Sequence, residues 1–287
     1  LLPGFDEFPF DYTYYDDYDV GVDGVYEDFL GFRNFLGANG NIQVGFGQAP
    51  TLGITVAVKA PELTGSGVFV NPAGLVNAAS SSPFTTGISR GEFVSLYGSN
   101  LAPRTEEAAS FSTSVAGVQV LVNDRPAPIR LVSAGLINFV IPWGTVEGIA
   151  RIQVVNNGTQ SNAVTMFVNQ TTPGIFTIPA GGVGYAAALR GSELSLVSRQ
   201  NPARPGETIA VYLTGMGDVA PAVVDATPGP TNPLSLVTNP ISAFVDGEEA
   251  AISFAGLAPT LIGLYQINLQ IPAGIAPGDV FLDVSGP

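Results

Sequence analysis

The side chains available for chemistry in this chain are mostly carboxylates. Its 287 residues include 24 Asp and Glu but no His, no Cys and a single lysine, Lys59. Without His the chain lacks the commonest general base and the usual ligand of zinc or haem. Without Cys it has neither disulfides nor thiolate metal sites. An enzyme activity would therefore have to rest on paired carboxylates, as in glycoside hydrolysis.

One such pair is Glu92 and Glu207. Each follows a glycine at the start of an alternating apolar segment, "GEFVSLYGS" and "GETIAVYLT". The two segments resemble each other, so the two glutamates hold the same position in two copies of one unit. Because a duplicated position is better explained by the fold than by catalysis, we predict that the protein is not an enzyme.

A second group of carboxylates lies in "DDYDVGVDG", residues 16–24. Asp17, Asp19 and Asp23 are spaced like the carboxylates of a calcium-binding loop. An EF-hand loop requires Gly at its sixth position, however, and Val22 stands there. Calcium is thus a candidate ligand of these three residues, with a solvated acidic surface as the simpler interpretation. No other cofactor is expected.

Charge and hydropathy exclude two kinds of partner. The formal net charge of −14 opposes binding to nucleic acid or to an anionic membrane surface. Apolar runs such as "ITVAV" and "VQVLV" are interrupted within a few residues by Gly, Pro or polar groups, so no membrane span is predicted.

The elements that carry these residues form an internal repeat. "INFVIP" and "INLQIP" share the pattern Ile-Asn-x-x-Ile-Pro at an offset of 267 − 137 = 130 residues. The same offset relates "GIARIQVV" to "GDVFLDVS". In addition, "VQVLVNDRPAPI" resembles "ISAFVDGEEAAI", each with a turn dipeptide between two alternating runs. The chain therefore contains two copies of one supersecondary unit.

Each copy reads as six or seven short strands separated by turn signals, a pattern typical of an immunoglobulin-like sandwich. We predict an all-β protein with two tandem immunoglobulin-like β-sandwiches preceded by an extended N-terminal arm. The predicted arm is residues 1–70, module 1 is residues 71–170 and module 2 is residues 171–287. The arm is acidic and aromatic, with 11 of the 26 Phe and Tyr in its first 36 residues. So many rings predict packing against another subunit.

Several segments also carry a family resemblance. They are "VNAASSSPFTTGISRGEFVSLYGSNLAP", "INFVIP", "PGIF", "NPARPGE", "FAGLAP" and "GLYQINLQIPAG". Together, from about residue 71 onward, they resemble the uncharacterised C-terminal domain found in many large secreted proteins of Acidobacteria, especially Solibacter. The resemblance implies tandem immunoglobulin-like sheets of the plexin and transcription-factor type and an extracellular location. It implies no enzymatic activity and no site residue, and family members usually continue past the position of Gly286 into another strand.

The repeat itself indicates that module 2 lacks a strand. In module 1, "GTQSNAVTMFVN" (158–169) follows the segment equivalent to "GDVFLDVS", and its apolar residues alternate as a last strand should. Module 2 has no counterpart of it in this sequence. If both modules fold alike, module 2 has an open groove with unpaired backbone groups. The predicted residues of this acceptor groove are Val280, Leu282 and Val284.

The arm contains two candidates for the absent strand. In "LGITVAV" the apolar residues alternate, and "ITVAV" resembles the "VTMFV" that closes module 1. The predicted donor residues are Leu52, Ile54, Val56 and Val58; "NIQVGFG" (41–47) is the second candidate. Our hypothesis is donor-strand complementation, in which the arm of one copy completes module 2 of its neighbour. Such a heterologous contact gives an open filament unless it closes into a ring.

Two simpler alternatives stay open: truncation of the chain after Pro287, and an arm that folds back on its own module 2. The predicted function is a structural subunit of an extracellular homopolymeric filament or surface layer, with the protein itself as partner. The alternative is an adhesive or carbohydrate-binding accessory module of a larger secreted protein, with a glycan as partner. The only tryptophan, Trp143, is a weak candidate for a sugar platform and more simply an interface or core residue.

Overall fold

A computed structural model describes residues 41–44, 54–57, 65–191 and 193–287, and in these ranges it contains strands and one short 3-10 helix, Phe84–Thr86. The predicted all-β class is confirmed. Strands β1 (Asn41–Val44) and β2 (Ile54–Ala57) form an antiparallel pair in which Val44 lies opposite Ile54. This pair and residues 65–287 belong to two different compact units.

Module 1 consists of two five-stranded sheets. Its strands are β3 Phe69–Asn77, β4 Ile88–Ser89, β5 Phe93–Ser99, β6 Glu106–Ser112, β7 Val118–Val122, β8 Arg125–Pro126, β9 Ile129–Val132, β10 Leu136–Val140, β11 Gly148–Asn156 and β12 Thr159–Asn169. One sheet has the order β3-β5-β10-β9-β6 and the other β4-β12-β11-β7-β8. All pairs are antiparallel except β4 with β12, which is parallel.

Alternating side chains bury one face of each sheet of module 1. In β12, Val164, Met166 and Val168 are buried, whereas Thr165 and Phe167 between them are exposed. Strand β7 follows the same period of two, because every second residue, Val118, Val120 and Val122, is buried. The buried faces of the two sheets form one hydrophobic core within residues 70–168.

Module 2 also consists of short strands, but they form sheets of seven, two and three strands in the described residues. Its strands are β13 Gly174–Ile175, β14 Thr177–Ile178, β15 Tyr185–Ala186, β16 Ala188–Arg190, β17 Thr208–Thr214, β18 Val219–Ala220, β19 Leu236–Val237, β20 Ser242–Val245, β21 Glu248–Glu249, β22 Ile252–Leu257, β23 Tyr265–Gln270 and β24 Leu282–Ser285. The larger sheet runs β13-β17-β23-β22-β19-β18, with β16 also on β17, and β14 pairs with β15. The smaller sheet has the order β21-β20-β24, and a separate core fills the module.

Strand register demonstrates that the two modules are copies of one fold. In module 1, Val122 of β7 lies opposite Ile152 of β11. In module 2, their counterparts Val245 and Leu282 lie opposite each other in β20 and β24. The sheets that contain β5 and β17 agree as well, because β10 pairs with β5 in the same register as β23 with β17. The internal repeat in the sequence is therefore a repeat in three dimensions.

Polar contacts connect the two modules. Asp225 of module 2 accepts hydrogen bonds from the backbone N–H of Trp143 (2.7 Å) and from the guanidinium of Arg125 (2.5 Å). Arg90 forms an ion pair of 3.0 Å with Asp218. The ring of Trp143 packs against Tyr265, with ring centroids 6.4 Å apart. In both of these ion pairs module 1 provides the cation and module 2 the anion.

Candidate functional site

The two modules differ at the outer edge of β24. In module 1, β11 lies between β7 and β12. In residues 65–191 and 193–287, β24 pairs with β20 on one side and with no strand on the other. The position that β12 fills in module 1 is therefore open in this part of module 2, and backbone N–H and C=O groups of β24 face it without a strand partner.

Burial along the two equivalent strands reflects this difference. Ala150, Ile152 and Val154 of β11 are fully buried beneath β12 and the opposite sheet. Their counterparts are more accessible: Val280 is 39% exposed, and Leu282 and Val284 are half-buried. Apolar residues of the same alternating pattern are thus left partly in contact with solvent, which is unfavourable by about 25 cal/mol for each Å² of apolar surface.

A cavity of about 500 Å³ lies beside β24 at this position. Its walls include Val280 and Leu282 on one side and Ala203, Pro205 and Ile271 on others. In the repeat, Ala203 corresponds to Ile88 of β4, the residue that lies opposite Val168 of β12. The cavity therefore occupies the place that the inward side chains of β12 fill in module 1. We call it the acceptor groove.

Polar side chains stand at one end of the acceptor groove. The hydroxyl of Tyr185 lies 3.2 Å from each carboxylate oxygen of Asp279, and Arg199 is 3.9 Å from the same carboxylate. All three residues line the groove. Its interior is apolar and its rim is polar, which is the usual composition of a binding surface for an apolar strand.

The structure locates the predicted groove residues as follows. Val280 and Leu282 line the acceptor groove, whereas Val284 packs half-buried against the core of module 2. Sequence reasoning missed Ala203 and Ile271 as groove walls. The repeat contained the signal, because their counterparts Ile88 and Ile141 are core residues of module 1.

The predicted donor residues are only partly described. Ile54 and Val56 lie in β2, while Leu52 and Val58 lie outside the described residues. The two candidate donor segments pair with each other as β1 and β2, with Ile42 opposite Val56. The calcium candidates Asp17, Asp19 and Asp23 also lie outside the described residues.

The duplicated glutamates have structural roles. Glu92 is fully buried, and its carboxylate accepts hydrogen bonds from Asn77 Nδ2 (2.9 Å), the backbone N–H of Ser89 (2.7 Å) and the hydroxyl of Thr172 (2.5 Å). Burial raises its pKa to about 8, although these hydrogen bonds act in the opposite direction. Because Thr172 belongs to module 2, Glu92 helps to hold the junction together.

Glu207 repeats the same arrangement with a different partner. Its carboxylate accepts hydrogen bonds from the backbone N–H of Arg204 (3.0 Å) and from Arg190 Nε (2.6 Å). Arg190 stands where Asn77 stands in module 1, so a cation replaces a neutral amide. The hydrogen bond from Arg190 lowers the pKa of Glu207. Each glutamate thus accepts a hydrogen bond from the backbone N–H three residues before it, and neither lines the acceptor groove.

The described ranges were also compared with the features of a metal site and of a membrane span. No group of three or more acidic side chains there is placed to hold a metal ion. Nor does this part of the chain contain a helix with the length and hydrophobicity of a membrane span. Trp143 is half-buried at the junction, and its ring packs against Gly91 as well as Tyr265. The interpretation of Trp143 as an interface residue thus agrees with its contacts.

The topology and packing of module 1 define an immunoglobulin-like β-sandwich. Residues 78–168 match the family model of the IPT/TIG domain, a segment within module 1. A comparison with curated proteins gives no match. Immunoglobulin-like domains of this kind are generally non-catalytic, and the fold fits a structural or adhesive module. The narrower resemblance to a domain of secreted Acidobacteria proteins stays a prediction.

Proposed function

We propose that the protein is a structural subunit of an extracellular homopolymer, in which β2 of one copy fills the acceptor groove of the next. The observation that carries this proposal is the difference between β11 and β24. Strand β11 pairs with β7 in the same register as β24 pairs with β20. Within residues 65–191 and 193–287, however, only β11 has a second strand, on its outer side. This difference supports an extended strand with one apolar face as the segment that completes module 2.

A segment of the same chain has the required pattern. Residues 54–58 read "ITVAV", beside "VTMFV" at residues 164–168 of β12. Backbone pairing supplies affinity in such strand addition, and alternate side chains supply specificity. Burial of Ile54 and Val56 would contribute about 3 to 6 kcal/mol before ordering costs.

The connection between donor strand and module 1 allows the donor to act on another copy. Eleven residues, 58–68, separate β2 from β3, and a segment of that length spans roughly 36 to 40 Å when fully extended. Since the donor strand and the acceptor groove lie in different parts of the chain, each subunit can donate to one neighbour and accept from another.

Substitutions in the donor strand and in the acceptor groove of the chain with residues 1–287 test this proposal. Val56→Asp in the donor and Val280→Asp in the groove are expected to abolish assembly, because each introduces a carboxylate into an apolar contact. Thr55→Asp and Phe281→Asp are the matched controls, since these positions alternate with the proposed contacts and Phe281 is 81% exposed. The measurement is size-exclusion chromatography with light scattering, followed by negative-stain microscopy.

Deletion of residues 1–60 gives an independent measurement. Loss of multimers on deletion, with recovery of a thermal shift when a synthetic peptide of residues 50–60 is added, supports donation. Unchanged assembly after deletion contradicts it. A monomer that binds a glycan array would favour the adhesive alternative.

A further inference from the structure

Strand β12 of module 1 provides a template for the bound donor strand. Ile152 of β11 lies opposite Val164, Arg151 opposite Thr165 and Ala150 opposite Met166. The next pair is Ile149 with Phe167. The repeat offset carries the β11 residues onto Leu282, Phe281, Val280 and Asp279 of module 2. Each residue of the segment around β24 thus has a defined partner position in the missing strand.

We infer that β2 binds a neighbouring copy antiparallel to the segment 279–282, with Ile54 opposite Leu282, Thr55 opposite Phe281, Val56 opposite Val280 and Ala57 opposite Asp279. This inference rests on the proposed function and adds its partner strand, direction and register. In this register Ile54 and Val56 take the places of Val164 and Met166 in the acceptor groove.

Side-chain sizes favour this register over the shift by two residues that brings Ile54 to Val280. In module 1 the long Met166 lies opposite the small Ala150. Val280 is larger than Ala150, so a shorter side chain must face it, and Val56 is shorter than Met166. A shift by two would put the bulkier Ile54 against Val280. A shift by one would turn the apolar face of the donor away from the groove.

The pairing of β1 with β2 is compatible with binding of β2. In module 1, β12 pairs with β4 only at Val168 and Asn169, so residues 164–167 have β11 as their sole strand partner. The equivalent donor residues 54–57 are the ones that β1 contacts in the pair β1–β2. The two strands can therefore be donated together, in the order β20-β24-β2-β1, without loss of the backbone hydrogen bonds between β1 and β2.

Engineered disulfides test the register directly, because the chain has no native cysteine. Two double variants match the inferred pairs: Thr55→Cys with Phe281→Cys, and Ala57→Cys with Asp279→Cys. Two crossed variants, Thr55→Cys with Asp279→Cys and Ala57→Cys with Phe281→Cys, place the same thiols diagonally, beyond disulfide distance. The pair Arg151→Cys with Thr165→Cys within module 1 calibrates oxidation, since it has the template geometry.

Oxidation of assembled protein is followed by denaturing gel electrophoresis. We expect ladders of covalent multimers from both matched variants and loss of these ladders in the crossed variants. Ladders from the crossed variants would overturn the register alone. The register would also be overturned if the matched variants gave no ladders although the protein still assembles and the calibration pair oxidises. A matched disulfide found only within monomers would overturn donation between copies. If every variant and the unmodified protein are monomeric, the proposed function fails together with the register.

Discussion

Glu92 and Glu207 occupy equivalent positions of the repeat, but their pKa values are shifted in opposite directions. The cause is the neighbouring residue and the degree of burial. Glu92 is fully buried beside the neutral Asn77, and its pKa rises; Glu207 binds Arg190, and its pKa falls. Burial therefore raises the pKa of Glu92, whereas the hydrogen bond from Arg190 lowers the pKa of Glu207.

The first prediction concerns Glu92→Gln. Since the pKa of Glu92 is about 8 in the folded protein and 4.5 as a free group, the native state binds the proton more tightly. The stabilisation that comes from proton binding to Glu92 is fully present below pH 4.5. It decreases as the pH rises from 4.5 to about 8, and above that pH it no longer changes. The slope approaches about 1.4 kcal/mol per pH unit. Glu92→Gln should remove this slope in urea unfolding measured from pH 5 to pH 8.

Glu207→Gln is the control for that experiment. The pKa of Glu207 is lowered, so its contribution is present above the unfolded value of 4.5 and is lost as the pH falls through the folded value. Glu207→Gln should therefore destabilise the protein at neutral pH and leave the slope between pH 5 and pH 8 in place. An unchanged slope in Glu92→Gln would show that Glu92 is ionised throughout this range.

At the level of single elements, β12 shows what a closing strand contributes to a module. Val164, Met166 and Val168 are buried on one face of the strand, and Phe167 on the other face is 65% exposed. The strand pairs with β11 over most of its length. It thus supplies both apolar burial and backbone pairing, the two contributions that the outer edge of β24 lacks within the described part of module 2.

The second prediction compares two residues of β12. Met166→Ala should reduce the free energy of unfolding of module 1 by about 2 to 5 kcal/mol, because it leaves a cavity in a packed core. Phe167→Ala, at an exposed neighbouring position, should change it by no more than about 0.5 kcal/mol. Chemical denaturation monitored by circular dichroism measures both. Equal effects would mean that β12 does not close the core in solution.

Periodic and repeated features were the part of the fold that could be predicted. Alternation in "VQVLV" and the offset between "INFVIP" and "INLQIP" predicted strands, two modules and the accessible apolar residues Val280 and Leu282, because side chains of a strand alternate strictly between two faces. Ala203 and Ile271 lie far from Leu282 in the chain, and only sheet packing brings them to the same groove. The pairing of β1 with β2 was missed for a related reason, since each segment was considered as a donor by itself.

For the whole molecule, the junction between modules determines whether the two sandwiches act as one body. Asp225 binds both the Trp143 backbone and Arg125, and its side chain is only 15% exposed. Glu92 and Thr172 add a second, partly buried contact. In module 2 the residues equivalent to Arg125 and Trp143 are Glu248 and Ala273. Module 2 therefore lacks the basic and aromatic side chains that module 1 contributes to the junction.

The third prediction is that Asp225→Ala opens the junction before either module unfolds. The substitution leaves the backbone N–H of Trp143 and the guanidinium of Arg125 without this acceptor, which should cost about 1 to 3 kcal/mol. Trp143 is the only tryptophan, so its fluorescence reports on the junction. In Asp225→Ala its emission should change at lower denaturant than the far-UV circular dichroism signal.

Asp124→Ala is the matched control for the junction. It removes an exposed ion pair with Arg151 inside module 1, where the Asp124 side chain is 83% exposed. Exposed pairs contribute little, so fluorescence and circular dichroism should change together in this variant, as in the unmodified protein. Coincident transitions in Asp225→Ala would contradict a role of Asp225 in coupling the modules.

The acceptor groove also has a consequence for how a proposed polymer would be limited in length. One terminus of such a polymer displays an empty groove, which binds the β2 strand of an incoming subunit. The other terminus displays an unused β2, which binds the groove of an incoming subunit. A subunit with a blocked groove can still donate and then stops addition at its own groove. A small fraction of such subunits would therefore shorten every polymer in the mixture, whereas the same fraction of damaged subunits unable to pair at all would only dilute it.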